Sequence, residues 1–229
     1  MEILDKNKTY EENLNEYVKR EKAAVKLISS IGYLMYEKSI ELVLFRNPLV
    51  DISISDVLNL HSKAKSIAFN PVDIFDTSSL AKEIEALDVA PSKIDIGRLA
   101  AEWHKEKSNY SSQTDFLKDK LKDFIGAEGH QLQPKDVVLF GFGRIGRLAA
   151  RELVKQAGKG QQLRLRAIVT RKVTDDEIIK RAALLRNDSV HGMFSGTVDV
   201  DLDNKALIIN GQIVKLIEAN NPEDVDYTA

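Results

Sequence analysis

From Thr9 to about Phe124 apolar positions recur at near-helical spacing, as in Leu14, Tyr17, Val18, Ala24, Val25, Leu27 and Ile28. A more apolar run, Ile31 to Phe45, reads as a second helical stretch set inside a bundle and stopped at Arg46-Asn47-Pro48. Ser55 to Ala68, Ser79 to Leu87, Ile94 to Lys107 and Asp115 to Ile125 read as shorter helices, with Pro71 and Pro91 as breaks. Ser79 is a weak start signal, because a capping box would place an acid at position 82, where Lys82 stands.

The segment GAEGHQLQP, residues 126–134, reads as a linker, and after it the pattern changes. DVVLF is an apolar strand, Arg144 to Ala157 a helix, Leu163 to Val169 a strand and Thr174 to Leu185 a helix. Short strands follow at Thr197 to Val200, Ala206 to Ile209 and Gln212 to Leu216, the last two joined by Asn210-Gly211, a tight-hairpin pair. The expected fold class is therefore α+β overall: an all-helical domain over 1–125, a linker over 126–134, and an α/β domain over 135–229.

At 229 residues the chain can bury one or two cores. Its net charge of −2 supplies no global attraction for nucleic acid, and the aromatic and basic residues form no stacking module. The apolar runs are too short to span a bilayer and the charged start has no secretory centre, so the expected location is cytoplasmic, with no membrane partner. The cysteine count is zero, which removes disulfides, thiolate metal sites and any cysteine nucleophile from these residues. The four histidines, His61, His104, His130 and His191, form no metal-binding spacing, so no metal ligand is expected.

The chemistry concentrates at Gly141-Phe142-Gly143-Arg144-Ile145-Gly146, between a strand and a helix. There the first glycine permits a tight turn, the second lets backbone approach a pyrophosphate, and the third allows close helix packing. Free amides at the helix start then hold anionic oxygen. Arg144 is a candidate pyrophosphate contact or a solvated cation, whereas Arg147 is expected to reach another part of the chain or a neighbouring subunit. The second strand ends at Thr170-Arg171-Lys172 where an NAD site would carry a carboxylate. Thr170 adds no negative charge, and Arg171 and Lys172 suit a 2′-phosphate or simply form a solvated loop. Asp175 and Asp176 come too late to occupy the strand end simply, although nothing in the sequence prevents one from folding back.

GFGRIGR at 141–147, ALLRNDSVHGMFSGTVDV at 183–200 and LIINGQIVKL at 207–216 make residues 136 to about 227 resemble the amino-terminal part of the coenzyme domain of glyceraldehyde-3-phosphate dehydrogenase. The resemblance implies NAD(P)-dependent oxidation of glyceraldehyde 3-phosphate to an acyl phosphate, a homo-oligomer (a tetramer at full length), and a catalytic cysteine and histidine beyond the matched region. The chain then reads as an amino-terminal, truncated piece with no catalytic residue of its own, its residues 135–229 as a partial Rossmann-type dinucleotide-binding domain, and His191 as a structural or subunit-contact residue. In the common enzyme, asparagine stands at the position of Phe140, Asn-Asp at Val169-Thr170, and arginine at Asn220. These departures weaken strict NAD preference and favour NADP slightly, with dual use. Alternatives are erythrose-4-phosphate dehydrogenase, which shares this region, and a non-catalytic regulatory or interaction protein that keeps the dinucleotide cradle. The helical half does not match the common enzyme, and its sequence assigns it no role.

Overall fold

A computed structural model describes residues 8–67, 72–126, 133–158 and 163–227, with backbone alone for 65–67. Most of the expected linker, 127–132, and His130 lie outside these residues. The chain divides into two compact units, Met1–Gln131 and Leu132–Ala229.

The first unit opens with α1 (Tyr10–Lys38), where Thr9 and Glu12 form a reciprocal capping box. Its buried face is Ala23, Ala24, Leu27, Ile31, Leu34 and Met35. Ser39, in the left-handed region at φ 56°, ends the helix by donating its N–H to the Leu34 carbonyl. The chain then forms β1 (Glu41–Leu44) and β2 (Asn47–Pro48), a hairpin turned by Phe45 and Arg46, both at positive φ. After α2 (Ile54–Ile67) and α3 (Ile74–Ala86), β3 (Lys93–Asp95) pairs in parallel with β1. α4 (Ile96–Glu106) and α5 (Gln113–Lys120) complete the unit.

The helical half is thus not wholly helical. The run Ile31 to Phe45 breaks at Ser39, and Leu42, Val43 and Leu44 enter the core as a buried strand, because β3 supplies their backbone partners from far along the chain. Three further boundaries move to real caps: Asp73 caps α3, which leaves Ser79 inside that helix, Asp95 caps α4 after Ile94 has served in β3, and Ser112 caps α5. A Cβ on Gly97 in α4 would stand 2.8 Å from Leu44 Cδ1, so a larger residue there requires the Leu44 and Phe45 side chains to shift. Across the core, His61 on α2 has Nδ1 2.8 Å from the Val57 carbonyl oxygen and Nε2 2.8 Å from Thr77 Oγ1 on α3.

The second unit follows the expected order closely. β4 (Lys135–Phe140), α6 (Arg144–Gln156), β5 (Leu163–Thr170) and α7 (Asp175–Arg186) are followed by the small hairpin β6 (Asn187–Asp188) and β7 (Gly192–Met193). Then come β8 (Val198–Asp201), β9 (Ala206–Ile209) and β10 (Gln212–Glu218). The five-stranded sheet has order β4-β5-β10-β9-β8, with β4, β5 and β10 parallel and β8 and β9 antiparallel. It is an open sheet, and its arrangement is a partial Rossmann fold, as the sequence led one to expect. Asn210 (φ 47°) and Gly211 (φ 77°) form the two-residue turn between β9 and β10. Between Val137 and Val138 the pairing with β5 shifts, since Val137 faces Leu165 and Val138 faces Ala167. Arg166 is therefore the extra residue of a β-bulge.

Candidate functional site

The carboxyl ends of β4 and β5 and the start of α6 form one turn. Gly141 sits at φ 90°, a conformation that favours glycine, and its N–H donates to the Val169 carbonyl at 2.8 Å. Phe142 turns its ring into the core and is 8% exposed. Gly143 is the N-cap of α6, with open space where a Cβ would project. A Cβ on Gly146, by contrast, would lie 2.4 Å from the Gly141 carbonyl oxygen, so the first turn of the helix rests directly on the glycine turn. The three glycines thus act differently: one for φ, one for an open approach and one for packing.

Side chains cap α1, α3, α4 and α5 through Thr9, Asp73, Asp95 and Ser112, and the Asp56 N–H donates to Ser53 Oγ at the start of α2. α7 lacks a side-chain cap but has Asp175, Asp176 and Glu177 in its first turn. Among the α-helices of the described residues, α6 alone has neither a cap nor an acid there. Its first amides and its positive dipole end are left for an anion from outside the helix. Gly143, Arg144 and Ile145 are exposed beside them, while Phe142 anchors the turn. This geometry fits a pyrophosphate, since backbone N–H groups are available and the absent Cβ at position 143 leaves room.

An arginine network holds the turn from behind. Arg147 Nη2 donates to Asp188 Oδ2 at 2.9 Å, and Arg144 Nε lies 3.8 Å from the same oxygen. Asp188 Oδ1 accepts the N–H groups of Val190 (3.0 Å) and His191 (3.1 Å). These two amides and the Arg147 guanidinium hold the buried Asp188 carboxyl far below the usual carboxylate range. Arg151 Nη2 donates to the carbonyls of Leu185 and Gly192, tying α6 to the hairpin after α7. Arg147 thus reaches another part of the chain, as expected, and Arg144 leans toward Asp188 with half its side chain exposed. Asp188 had no assigned role from sequence, because nothing in its spacing marks it as the partner of an arginine on α6. His191 contributes its backbone amide to this network.

At the end of β5, Val169 and Thr170 are buried. The Thr170 hydroxyl donates to the Lys172 carbonyl at 3.1 Å and so shapes the following turn. Arg171 and Lys172 are exposed, and among the described residues their side chains make no hydrogen bond or ion pair. Asp175 and Asp176 lie in the first turn of α7, beyond the strand end. A carboxylate that sequence reading missed does reach this turn: Glu218 Oε2 accepts the Val173 N–H at 2.9 Å. Phe140 is half exposed at the end of β4, and Asn220 is exposed just after β10. Among the described residues no group of three or more His, Cys, Asp or Glu is placed to hold a metal, and no helix is long and apolar enough to cross a membrane.

Residues 135–229 match the family described as "Glyceraldehyde 3-phosphate dehydrogenase, NAD binding domain". A "Glyceraldehyde-3-phosphate dehydrogenase-like protein" of Pseudomonas aeruginosa is 36% identical over 205 residues, covering 88% of this chain and 44% of the relative. That match is longer than the second unit, so it reaches well into the helical half. The "Glyceraldehyde-3-phosphate dehydrogenase" of Lactococcus lactis is 37% identical over 87 residues, 38% of this chain and 23% of the relative. A chloroplastic protein of the same name from Guillardia theta is 34% identical over 99 residues, 43% of this chain and 23% of the relative. The chain spans less than half the length of these relatives. The glycine turn, the parallel strands around it and these matches lead to one conclusion: residues 135–229 are homologous to the NAD-binding domain of glyceraldehyde-3-phosphate dehydrogenases, here preceded by a largely helical unit.

Proposed function

We propose that the second unit binds a nicotinamide dinucleotide, with Gly141, Gly143 and Gly146 shaping the turn and the backbone of Phe142, Gly143, Arg144 and Ile145 holding the pyrophosphate. Thr170 and Arg171 tune the choice at the adenosine ribose, Thr170 by adding no charge and Arg171 by offering one to a 2′-phosphate. With Lys172 beside it, NADP is slightly favoured and both cofactors are used. The observation that carries the reading is the start of α6, which has no cap, no acid and open space over Gly143.

In a protein of the relatives' length, this unit serves phosphorylating oxidation of glyceraldehyde 3-phosphate, and the protein is a homo-oligomer. The bound cofactor supplies the hydride acceptor, while this chain binds it, orients it and sets its charge environment. The chain has no cysteine, so the covalent route to an acyl phosphate has no thiol within these residues, and the 229 residues alone turn over no aldehyde. The same absence favours a second reading, a regulatory or interaction protein that uses the cradle without catalysis.

Calorimetric titration of the chain with NADP and with NAD, in one buffer and at one salt concentration, tests the first reading. Binding of both, tighter for NADP, is the expected result. Tighter NAD binding overturns the ribose assignment and leaves the pyrophosphate site standing, whereas binding of neither overturns the site. Assay of the natural full-length protein with glyceraldehyde 3-phosphate and inorganic phosphate separates the enzyme from the non-catalytic reading.

A further inference from the structure

In dinucleotide-binding folds the carboxylate that grips the ribose hydroxyls stands at the end of the second strand. Thr170 occupies that place here. Its neighbour across the parallel ladder is Glu218, the last residue of β10. Three hydrogen bonds join this corner: the Ala219 N–H donates to the Thr170 carbonyl (3.1 Å), the Val173 N–H to Glu218 Oε2 (2.9 Å), and the Thr170 hydroxyl to the Lys172 carbonyl (3.1 Å). The carboxylate of Glu218 is thereby fixed against the turn that carries Arg171 and Lys172. Glu218 is exposed, and among the described residues it forms no ion pair with either cation or with any other.

We infer that Glu218 is a specificity-determining residue of this site, a ribose-selecting carboxylate supplied by the third parallel strand in place of the second. The inference rests on the dinucleotide reading above and deepens it. One oxygen holds the Val173 amide, and a carboxylate has acceptor capacity to spare for a ribose hydroxyl. Its charge also repels a 2′-phosphate, opposing the attraction of Arg171 and Lys172. Two unneutralised cations and one unneutralised anion on a single hydrogen-bonded corner give a site that accepts both cofactors, with the carboxylate holding NADP preference down.

The opposing possibility is that Glu218 only clasps the turn. Glu218→Gln separates the two roles, because its amide oxygen still accepts from the Val173 N–H while the charge is gone. Glu218→Ala removes both. Calorimetry with NAD and NADP, together with amide hydrogen exchange at Val173 in the chain without cofactor, reads each role apart. Under the proposal, Glu218→Gln shifts the ratio of the two dissociation constants about ten-fold toward NADP, with Val173 exchange as in the unsubstituted chain. Glu218→Ala shifts the ratio the same way and speeds Val173 exchange. An unchanged ratio in Glu218→Gln, with faster exchange in Glu218→Ala alone, reduces Glu218 to a clasp and overturns the inference while the dinucleotide reading stands. No binding of either dinucleotide to the unsubstituted chain overturns the reading itself, and the inference with it.

Discussion

A methyl group at position 146 has no room, because it would sit 2.4 Å from the Gly141 carbonyl oxygen, whereas one at position 143 would meet nothing within 4 Å. Gly146→Ala is therefore expected to destabilise the second unit by about 1–3 kcal/mol, the usual cost of overpacking. Gly143→Ala is expected to cost under about 1 kcal/mol, the difference between glycine and alanine at an N-cap. Binding reverses the order of interest: Gly143→Ala keeps the fold and weakens dinucleotide binding about ten-fold or more, since its methyl group enters the space left for the pyrophosphate. Urea unfolding of each variant, followed by titration, checks both halves. Equal stability losses at the two positions would show that the glycines are interchangeable turn residues. The corner around Thr170 follows the same logic at finer grain, because a hydroxyl that looks available in sequence is spent on the Lys172 carbonyl.

Among the elements, α2 and α3 are joined by a buried histidine. His61 is 5% exposed, and burial pushes its pKa below the ordinary value, against the smaller opposing effects of the Val57 carbonyl and Asp73. The unfolded chain takes up a proton near the usual histidine pKa of about 6.5, while the folded form resists it until the solution is more acidic. Stability from this group is full above the unfolded value and is lost as pH falls below it. The urea midpoint of the first unit should drop between pH 7.5 and pH 5, and His61→Gln should flatten that drop; parallel slopes in both proteins would exclude the histidine as its source. How much of each element was legible depended on where its partners lie. The glycine turn, the helix after it and the Asn210-Gly211 hairpin are specified by neighbours in sequence, so their pattern suffices. The strand at Leu42 to Leu44 is not, because a short apolar run fits a buried helix equally well until β3 arrives to pair with it. Ser79 resembled a start only because the effective cap, Asp73, follows Pro71 and a poorly marked stretch. Glu218 was invisible for the strongest version of this reason: its meeting with Thr170 exists only in the register of two strands.

For the whole molecule, the two compact units and the similarity of the Pseudomonas aeruginosa protein across both halves make the helical unit a shared feature, not an addition peculiar to this chain. We propose the domain limits as 1–125 and 135–229, with 126–134 between them. Proteases of broad specificity, such as proteinase K, are expected at low dose to cut first within 126–134, where two glycines and a proline interrupt polar sequence. Two stable fragments by mass spectrometry would bear this out, and early cuts inside both units with this segment intact would refute it. The bulge at Arg166 has a consequence for how such a site can change. Gly141 is bonded to Val169, and Thr170 follows on the same strand, so the turn for the pyrophosphate and the corner for the ribose share one strand pair whose stagger the extra residue sets. The two ends stand on adjacent, hydrogen-bonded strands, and loss of that residue would slip one against the other by a step. Evolution can therefore retune cofactor choice here by exchanging side chains, but not by adjusting the ruler against which the ligand is measured.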